Sequence, residues 1–548
     1  MTRFRPALSG AAVLAAALLL VGCAQAAPAA ESGAEGAPVT GGTLVYLEQQ
    51  AHTGLYPPTA GFYPNGGIVN NITDRLVFQD PETLEFEPWV ASEWESNADA
   101  TEITFTIRDG VTFSDGSALD AAVVAKNFDL FGRGDAERAL PASEAINNYE
   151  RSEVLDEHTV RFFFSAPAPG FLQAASTINS GLLSSATLDF GLEEFGPGNA
   201  AKVIGSGPFT VDSEQIGTSL ELRAREDYAW APASWENQGR PYLDAVQITV
   251  TPEDSVRVGA LTSGQAGLIR QLGAQDEARV QEAGFTVLAP QTNGVNNGLN
   301  LRFRNKILSD IRVRQALAAG IDRQEVVDTI FTEHYPLATS VLSSGALGYR
   351  DAGDALGFDP KRAARLLDEA GWAPGADGIR AKDGTPLRLV VNEALPQPRS
   401  FEAMTLVSQQ LRKIGVDLSI LRADSGTAAE AQLDPDQVQL YHSMVGRADL
   451  DVIKSQYAGE NRNVLLNRDR DGVIADPELE TLLDRVAGTA DPEARIAASG
   501  AVQDYLLDQA YVIPLFEEPQ VYAAAPEVHG FGTESVARPS FAGVWLER

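Results

Sequence analysis

Apolar residues fall along this chain in two alternating patterns. Strand-length runs dense in β-branched and aromatic residues occur at GTLVYLEQ (42–49), ITFTIR (103–108), TVRFFF (159–164), AVQITVT (245–251), LRLVVN (387–392), VDLSIL (416–421) and VIPLFE (512–517). Between them lie longer segments with helical start and stop signals. DPKRAARLLDEAG places Asp359 at the N-cap, Pro360 at the first helical position and Gly371 just past the end, and DPELETLLDRVAG repeats this with Asp476, Pro477 and Gly488. DRQEVVDTIF pairs Asp322 with Glu325 as a capping box and buries Val326, Val327 and Ile330. FSDGS delivers a helix over 118–131 with Val124, Phe128 and Phe131 on one face, and the helix after Ser309 buries Ile311, Ala316 and Leu317. This alternation predicts α/β lobes whose sheets are covered by helices, with ligands bound where loops converge at the carboxyl ends of strands. No period of 20–50 residues recurs, so repeat architectures are excluded. The polar Gly/Asn stretch 288–298 and the segment near Pro514 are expected boundaries, and two crossings between lobes would make a hinge.

The first residues follow different rules. Arg3 and Arg5 precede AAVLAAALLLVG, roughly a dozen apolar residues, the length of a signal-peptide core rather than the ~20 that span a bilayer. The run ends at Leu20, Val21, Gly22 and Cys23, which resemble a bacterial lipobox; in such signals the cysteine carries diacylglycerol by a thioether and becomes the first mature residue. Cys23 is the one cysteine in 548 residues, so no disulfide is expected. Residues 1–22 are therefore expected to be a lipoprotein signal peptide and 23–41, rich in Ala, Gly, Pro and Ser, a disordered tether. A short uncleaved anchor is the alternative.

Composition narrows the function classes. A formal net charge of −33 repels nucleic acid and anionic lipid heads, so neither is an expected partner. An apolar content of 44% excludes overall disorder, and the length exceeds one core, so two or more domains are expected. Histidines 52, 158, 334, 442 and 529 are scattered with no partner at i+4, so no zinc-helix motif is present. There is no G-x-S-x-G, P-loop or dinucleotide fingerprint. No catalytic residue, cofactor or metal site is assigned. Paired-carboxylate hydrolysis stays open, because 75 acidic residues offer many pairs.

Several blocks in order resemble the extracytoplasmic solute-binding proteins of ABC importers, family 5, the peptide/nickel/opine type. They are PWVASEWESNADATEITFTIRDGVTFSDGSALDAAVVAKNFD (88–129), GSGPF (205–209), LDAVQITVTPEDSVRVGALTSG (243–264), LNLRFRNKILSDIRVRQALAAGIDRQEVV (299–327), FDPKRAARLLDEAGW (358–372) and QLRKIGVDLSI (410–420). The resemblance implies a bilobed periplasmic-binding-protein-like fold, type II, cluster C, with two α/β lobes, a hinge and an extra subdomain in the first lobe. The implied division is a lobe I core of 42–75, 205–292 and 516–548, its extra subdomain at 76–204, and lobe II at 293–515. It also implies a monomeric binder that captures peptides in an interlobe cleft and delivers them to a permease with its ATPases, the lipid on Cys23 holding it to the membrane. A nickel complex, an opine or another small organic solute is the same-fold alternative, and a surface sensor that kept the fold is another.

The resemblance also nominates ligand-binding residues. In peptide binders an aspartate in a W-x-A-D-Y-x-D-P-like stretch pairs with the peptide ammonium; MVGRADLDVI (444–453) is similar, and Asp449 matches that aspartate. Arg447 and Val452 depart from the pattern. Arg447 can neutralise Asp449 or hold a ligand carboxylate, so Asp449 has two readings, ligand contact or lobe-internal salt bridge. Gly267 stands where the family usually has an acid. Asn296 and Asn297 lie where the chain should cross between lobes, as ligand hydrogen-bonders or turn residues. Tyr441, Glu48 and Gln49 complete the expected wall, and His442 is either a metal or haem ligand or a hydrogen-bonded structural residue.

Overall fold

The structure, a computed structural model, describes residues 37–394, 397–423, 425–460, 466–469 and 471–548. The expected signal peptide, Cys23 and all but the last residues of the tether lie outside them.

Two mixed sheets organise the body. The first has seven strands in the order Thr286–Leu288, Tyr522–Ala524, Leu268–Arg270, Thr43–Glu48, Ala245–Val250, Ser219–Ala224 and Phe209–Gln215. Thr43–Glu48 runs parallel to both of its neighbours, with Tyr46 opposite Ile248 and Leu268. The second has five strands, Asp417–Leu421, Arg388–Asn392, Leu440–Gly446, Gly294–Leu301 and Val512–Phe516. A four-stranded antiparallel sheet, Ala91–Ser96, Glu102–Ile107, Thr159–Phe164 and Tyr149–Val154, is a separate layer. Its apolar face and the helix Ala121–Arg133 bury an aromatic cluster, with the Phe128 and Phe162 centroids 4.9 Å apart and Phe171 within 5.4 Å of both. The chain leaves the seven-stranded sheet after Leu288, enters the five-stranded sheet at Gly294, leaves it after Phe516 and returns at Tyr522.

Most capping predictions are met by geometry. Asp359 accepts from Arg362 N, Asp476 from Glu478 and Leu479 N, and Asp322 from Glu325 N. The capping box at Asp322 is only half formed, because Gln410 reaches across from the helix Ser400–Lys413. Its oxygen accepts the Asp322 N–H and its amide donates to Glu325. Gly488 is the last helical residue rather than the one beyond it. The helix expected over 118–131 runs from Ala121 to Arg133 behind Asp120, whose carboxylate caps Val123 N, and Val124, Phe128 and Phe131 are fully buried. In the helix Ile311–Gly320 the core side is Val313, Ala316 and Leu317, while Ile311 in the first turn is half-exposed.

Asn296 and Asn297 are not turn residues. Both belong to the strand Gly294–Leu301, every residue of which is buried. A buried strand normally shows a continuous apolar run; here asparagine is tolerated because its amide finds partners, Asn296 donating to Ser340 O and Leu342 O. The GSGPF block also has a steric cause: a Cβ on Gly205 or Gly207 would collide with backbone atoms of Ile72 and Thr73. A Cβ on Gly267 would come within 2.9 Å of Leu44 Cδ1 and 3.1 Å of Val528 Cγ2, so a larger residue there requires those side chains to shift.

Candidate functional site

The stretch 447–451 leaves the strand Leu440–Gly446 and is buried against residues that precede the first crossing. Gln79 Nε2 donates to Ala448 O at 3.0 Å, Arg447 donates to Glu144 O at 3.1 Å, and Asn147 Nδ2 donates to Asp451 Oδ2 at 2.8 Å. Gly170 completes the contact; a Cβ there would strike the Asp451 carboxylate. Glycine therefore lets the first part of the chain close directly on this acidic turn.

Arg495, in the first turn of the helix Pro492–Asp508, is the common partner of both acids. It donates to Asp449 Oδ1 at 2.6 Å and Oδ2 at 3.2 Å, and to Asp451 Oδ1 at 2.6 Å. Its Nε donates to Val486 O at 3.0 Å. Burial pushes the Asp449 carboxyl up, but the charge and hydrogen bonds of Arg495, with Arg447 behind them, hold it below the ordinary carboxylate range. Arg447 does not bridge Asp449. Its guanidinium donates to Ser455 Oγ at 2.6 Å, and burial lowers its pKa against the raising effect of Asp451 and Asp449. Two guanidinium groups and two carboxylates thus form a closed, balanced cluster.

A second polar group joins the two large sheets. Arg270 donates to both Glu48 oxygens, at 2.6 to 3.1 Å, and to Gln520 Oε1 at 2.8 Å. Gln520 Nε2 donates to Glu518 Oε1 at 3.3 Å, and Asn297 Nδ2 donates to Glu518 Oε2 at 2.7 Å. Asn297 Oδ1 contacts His442 Nε2, and His442 Nδ1 meets Ser400 Oγ at 2.9 Å. Burial drives the His442 pKa down to about 3, so the ring is neutral and serves as a hydrogen-bonded structural residue.

The expected wall residues therefore fall into three groups. Asp449 and Arg447 sit in the acidic turn. Glu48 and Asn297 are linked through Arg270, Gln520 and Glu518, with Gln49 N–H donating to Glu48 at 2.8 Å. Asn296 lines a small cavity of about 10 Å³ with Asn300, Ser443 and Gln456. Tyr441 lies beside it, its ring 5.1 Å from the Arg302 guanidinium and its pKa raised by burial. Arg495, Asn147, Arg270, Gln520 and Glu518 went unnoticed in the sequence; no local motif marks any of them. Among the described residues no group of three or more His, Cys, Asp or Glu can hold a metal ion, and no helix is long and apolar enough to cross a membrane.

Beside the crossings lies an open cavity of about 570 Å³, lined by Pro81, Glu82, Leu84, Leu288–Gln291, Asn293, Gly345 and Phe531–Ser535. Its walls come from both sides of the first crossing. Leu84, Leu288 and Phe531 supply apolar surface, and Gln291, Asn293, Thr533 and Ser535 supply hydrogen-bonding groups.

Residues 85–455 match the family model described as bacterial extracellular solute-binding proteins, family 5. Glutathione-binding protein GsiB of Salmonella paratyphi A is 23% identical over 441 residues, covering 79% of this chain and 81% of that protein. Di/tripeptide-binding protein 2 of Pseudomonas aeruginosa is 24% identical over 536 residues, covering 92% and 95%. The oligopeptide-binding protein AppA of Bacillus subtilis, solved with a nonapeptide, superposes with a TM-score of 0.79 at 19% identity, covering 93% of this chain and all of AppA.

Proposed function

Because this chain belongs to the bacterial extracellular solute-binding proteins of family 5, we propose that it captures short peptides between its two lobes and passes them unaltered to an ABC permease. The observation that carries the reading is the cavity of about 570 Å³ at the crossings, walled by residues on both sides of the hinge. That volume suits a molecule of a few residues, and its mixed apolar and amide lining suits a peptide backbone with variable side chains. The relatives named for glutathione and for di- and tripeptides support the same size class. The lobes in this reading are the seven-stranded sheet with its four-stranded annex, and the five-stranded sheet with its helices. Cys23 in its lipobox-like setting supports a lipid-anchored, extracytoplasmic protein.

One observation favours a second reading. Asp449 is already paired with Arg495, so no free carboxylate waits in the acidic turn for a peptide ammonium. A small organic solute or a metal complex would not need one. Titration calorimetry with di- and tripeptides, glutathione and their N-acetylated forms separates the two. Saturable one-site heat with free peptides, weakened at least tenfold by acetylation, is the result expected if the ammonium is recognised at all. Equal binding of acetylated forms moves recognition away from Asp449, and silence with every peptide overturns the peptide reading.

A further inference from the structure

The two crossings between the sheets are themselves paired. Thr292 N donates to Glu518 O at 3.3 Å, Gln520 N donates to Pro290 O at 3.0 Å, and Gln291 bridges Pro519. Among the described residues these are the only passages of the chain between the two large sheets, so any change in the angle between lobes acts here. Glu518 sits on the returning passage with a 4% exposed side chain position, and its two oxygens are divided between the lobes. Oε2 takes the Asn297 amide from the five-stranded sheet. Oε1 takes the Gln520 amide, which Arg270 ties to Glu48 in the seven-stranded sheet.

The directions of these bonds are locked. Arginine only donates, so Gln520 must turn its oxygen to Arg270 and its N–H to Glu518. A carboxylate only accepts, so Asn297 turns its N–H to Glu518 and its Oδ1 to His442; the neutral ring then carries its proton on Nε2, and Nδ1 accepts from Ser400 Oγ, which itself accepts from Ala394 N at 2.8 Å. Both oxygens of Glu518 face donors and suit a carboxylate, while the dry surroundings oppose one. Burial outweighs the Asn297 bond, the Arg270 charge and the Gln520 bond, and holds the Glu518 pKa at about 7 rather than 4.5. The other titratable groups in its field are Tyr63 and Tyr335, both with pKa values pushed up mainly by burial, together with Glu48 behind Arg270 and the neutral His442. Its neighbour Glu517 turns away to Ser344.

We propose that Glu518 is a proton-linked clip in the hinge, and that closing the lobes takes up one proton from solvent at this carboxyl. This rests on the two-lobe capture reading. Opening the angle separates Asn297 from the Gln520–Arg270 side and admits water, which returns the carboxyl toward its ordinary range. The closed form then binds the proton more tightly than the open form. Between the two pKa values, acid therefore favours closure; by linkage the closed-to-open ratio rises about tenfold from pH 8 to pH 6.

The test needs no solute, so its outcome is independent of what the cleft binds. The radius of gyration of the ligand-free full chain is measured by small-angle X-ray scattering from pH 8 to pH 6, for the native sequence and Glu518→Gln. The native protein is expected to contract progressively as pH falls below about 7, and the glutamine variant to show no such dependence. A native protein with no such contraction, or a variant that keeps it, overturns the proposal. If Glu518→Gln does not fold, Asn297→Ala decides: losing a donor to the carboxylate must move the onset of contraction to higher pH, and an unmoved onset is contradictory.

Discussion

Arg495→Ala is expected to cost about 3–5 kcal/mol of stability, because it strands two buried carboxylates at once. Asp449 and Asp451 lie in the interior within 2.6 Å of the same guanidinium, and the hydrogen bonds seen among the described residues bring no other cation to either. Arg447 is close enough to feel their charge but spends its donors on Glu144 and Ser455. Asp449 in the native protein has its carboxyl below the ordinary range, so the stability it supplies is present at neutral pH and lost as pH falls through its folded value. In the variant the sign reverses. An unpaired buried carboxyl has a raised pKa, so Arg495→Ala regains stability as pH falls from 7 toward 5. Differential scanning calorimetry at both pH values reads the loss and the reversal. Adding Asp449→Asn and Asp451→Asn should restore part of the loss at pH 7, and a triple variant no better than Arg495→Ala would place the cause elsewhere.

Arg270→Ala is expected to be comparably severe, about 3–5 kcal/mol, for a related reason with a different consequence. Among the described residues it leaves the buried Glu48 with the Tyr46 hydroxyl and the Gln49 N–H as donors, and it removes the group that orients Gln520. Burial opposes the Arg270 charge, yet Glu48 more than offsets this and keeps its pKa above the ordinary arginine value. Arg270→Met preserves much of the packing and isolates the charge. Both variants should unfold at lower denaturant concentration, with Arg270→Met recovering part of its loss when combined with Glu48→Gln. A double variant no more stable than Arg270→Met alone contradicts the assignment of the cost to an unpaired Glu48.

Local chemistry made much of the fold legible and little of the polar sites. Asp359, Asp476 and Asp322 announce helices because an N-cap needs only its own next three residues. GSGPF could be recognised by resemblance, but its reason, the close approach to Ile72 and Thr73, is tertiary. The stretch 288–298 reads as a break because asparagine and glycine signal turns when nothing else is known; the chain does cross between the sheets at 289–293, but 294–298 is buried strand. The side-chain N–H groups of Asn296 and Asn297 donate to Ser340, Leu342 and Glu518, 44 to 221 positions away. Asp449 is singled out in the sequence only by its resemblance to a family pattern, whereas Arg495, 46 positions on, is one of many arginines until a helix brings it back. Partner choice among buried charges depends on packing of distant elements, which no local pattern encodes.

The central claim, a two-lobed clamp that holds a small peptide and leaves it intact, is tested most directly by native mass spectrometry of the freshly purified full chain. The account predicts a bound species of short-peptide mass that denaturation releases unchanged, and that a defined peptide mixture exchanges into the same single site. A protein that carries no solute and takes up none from that mixture, or that returns its solute cleaved, would contradict it.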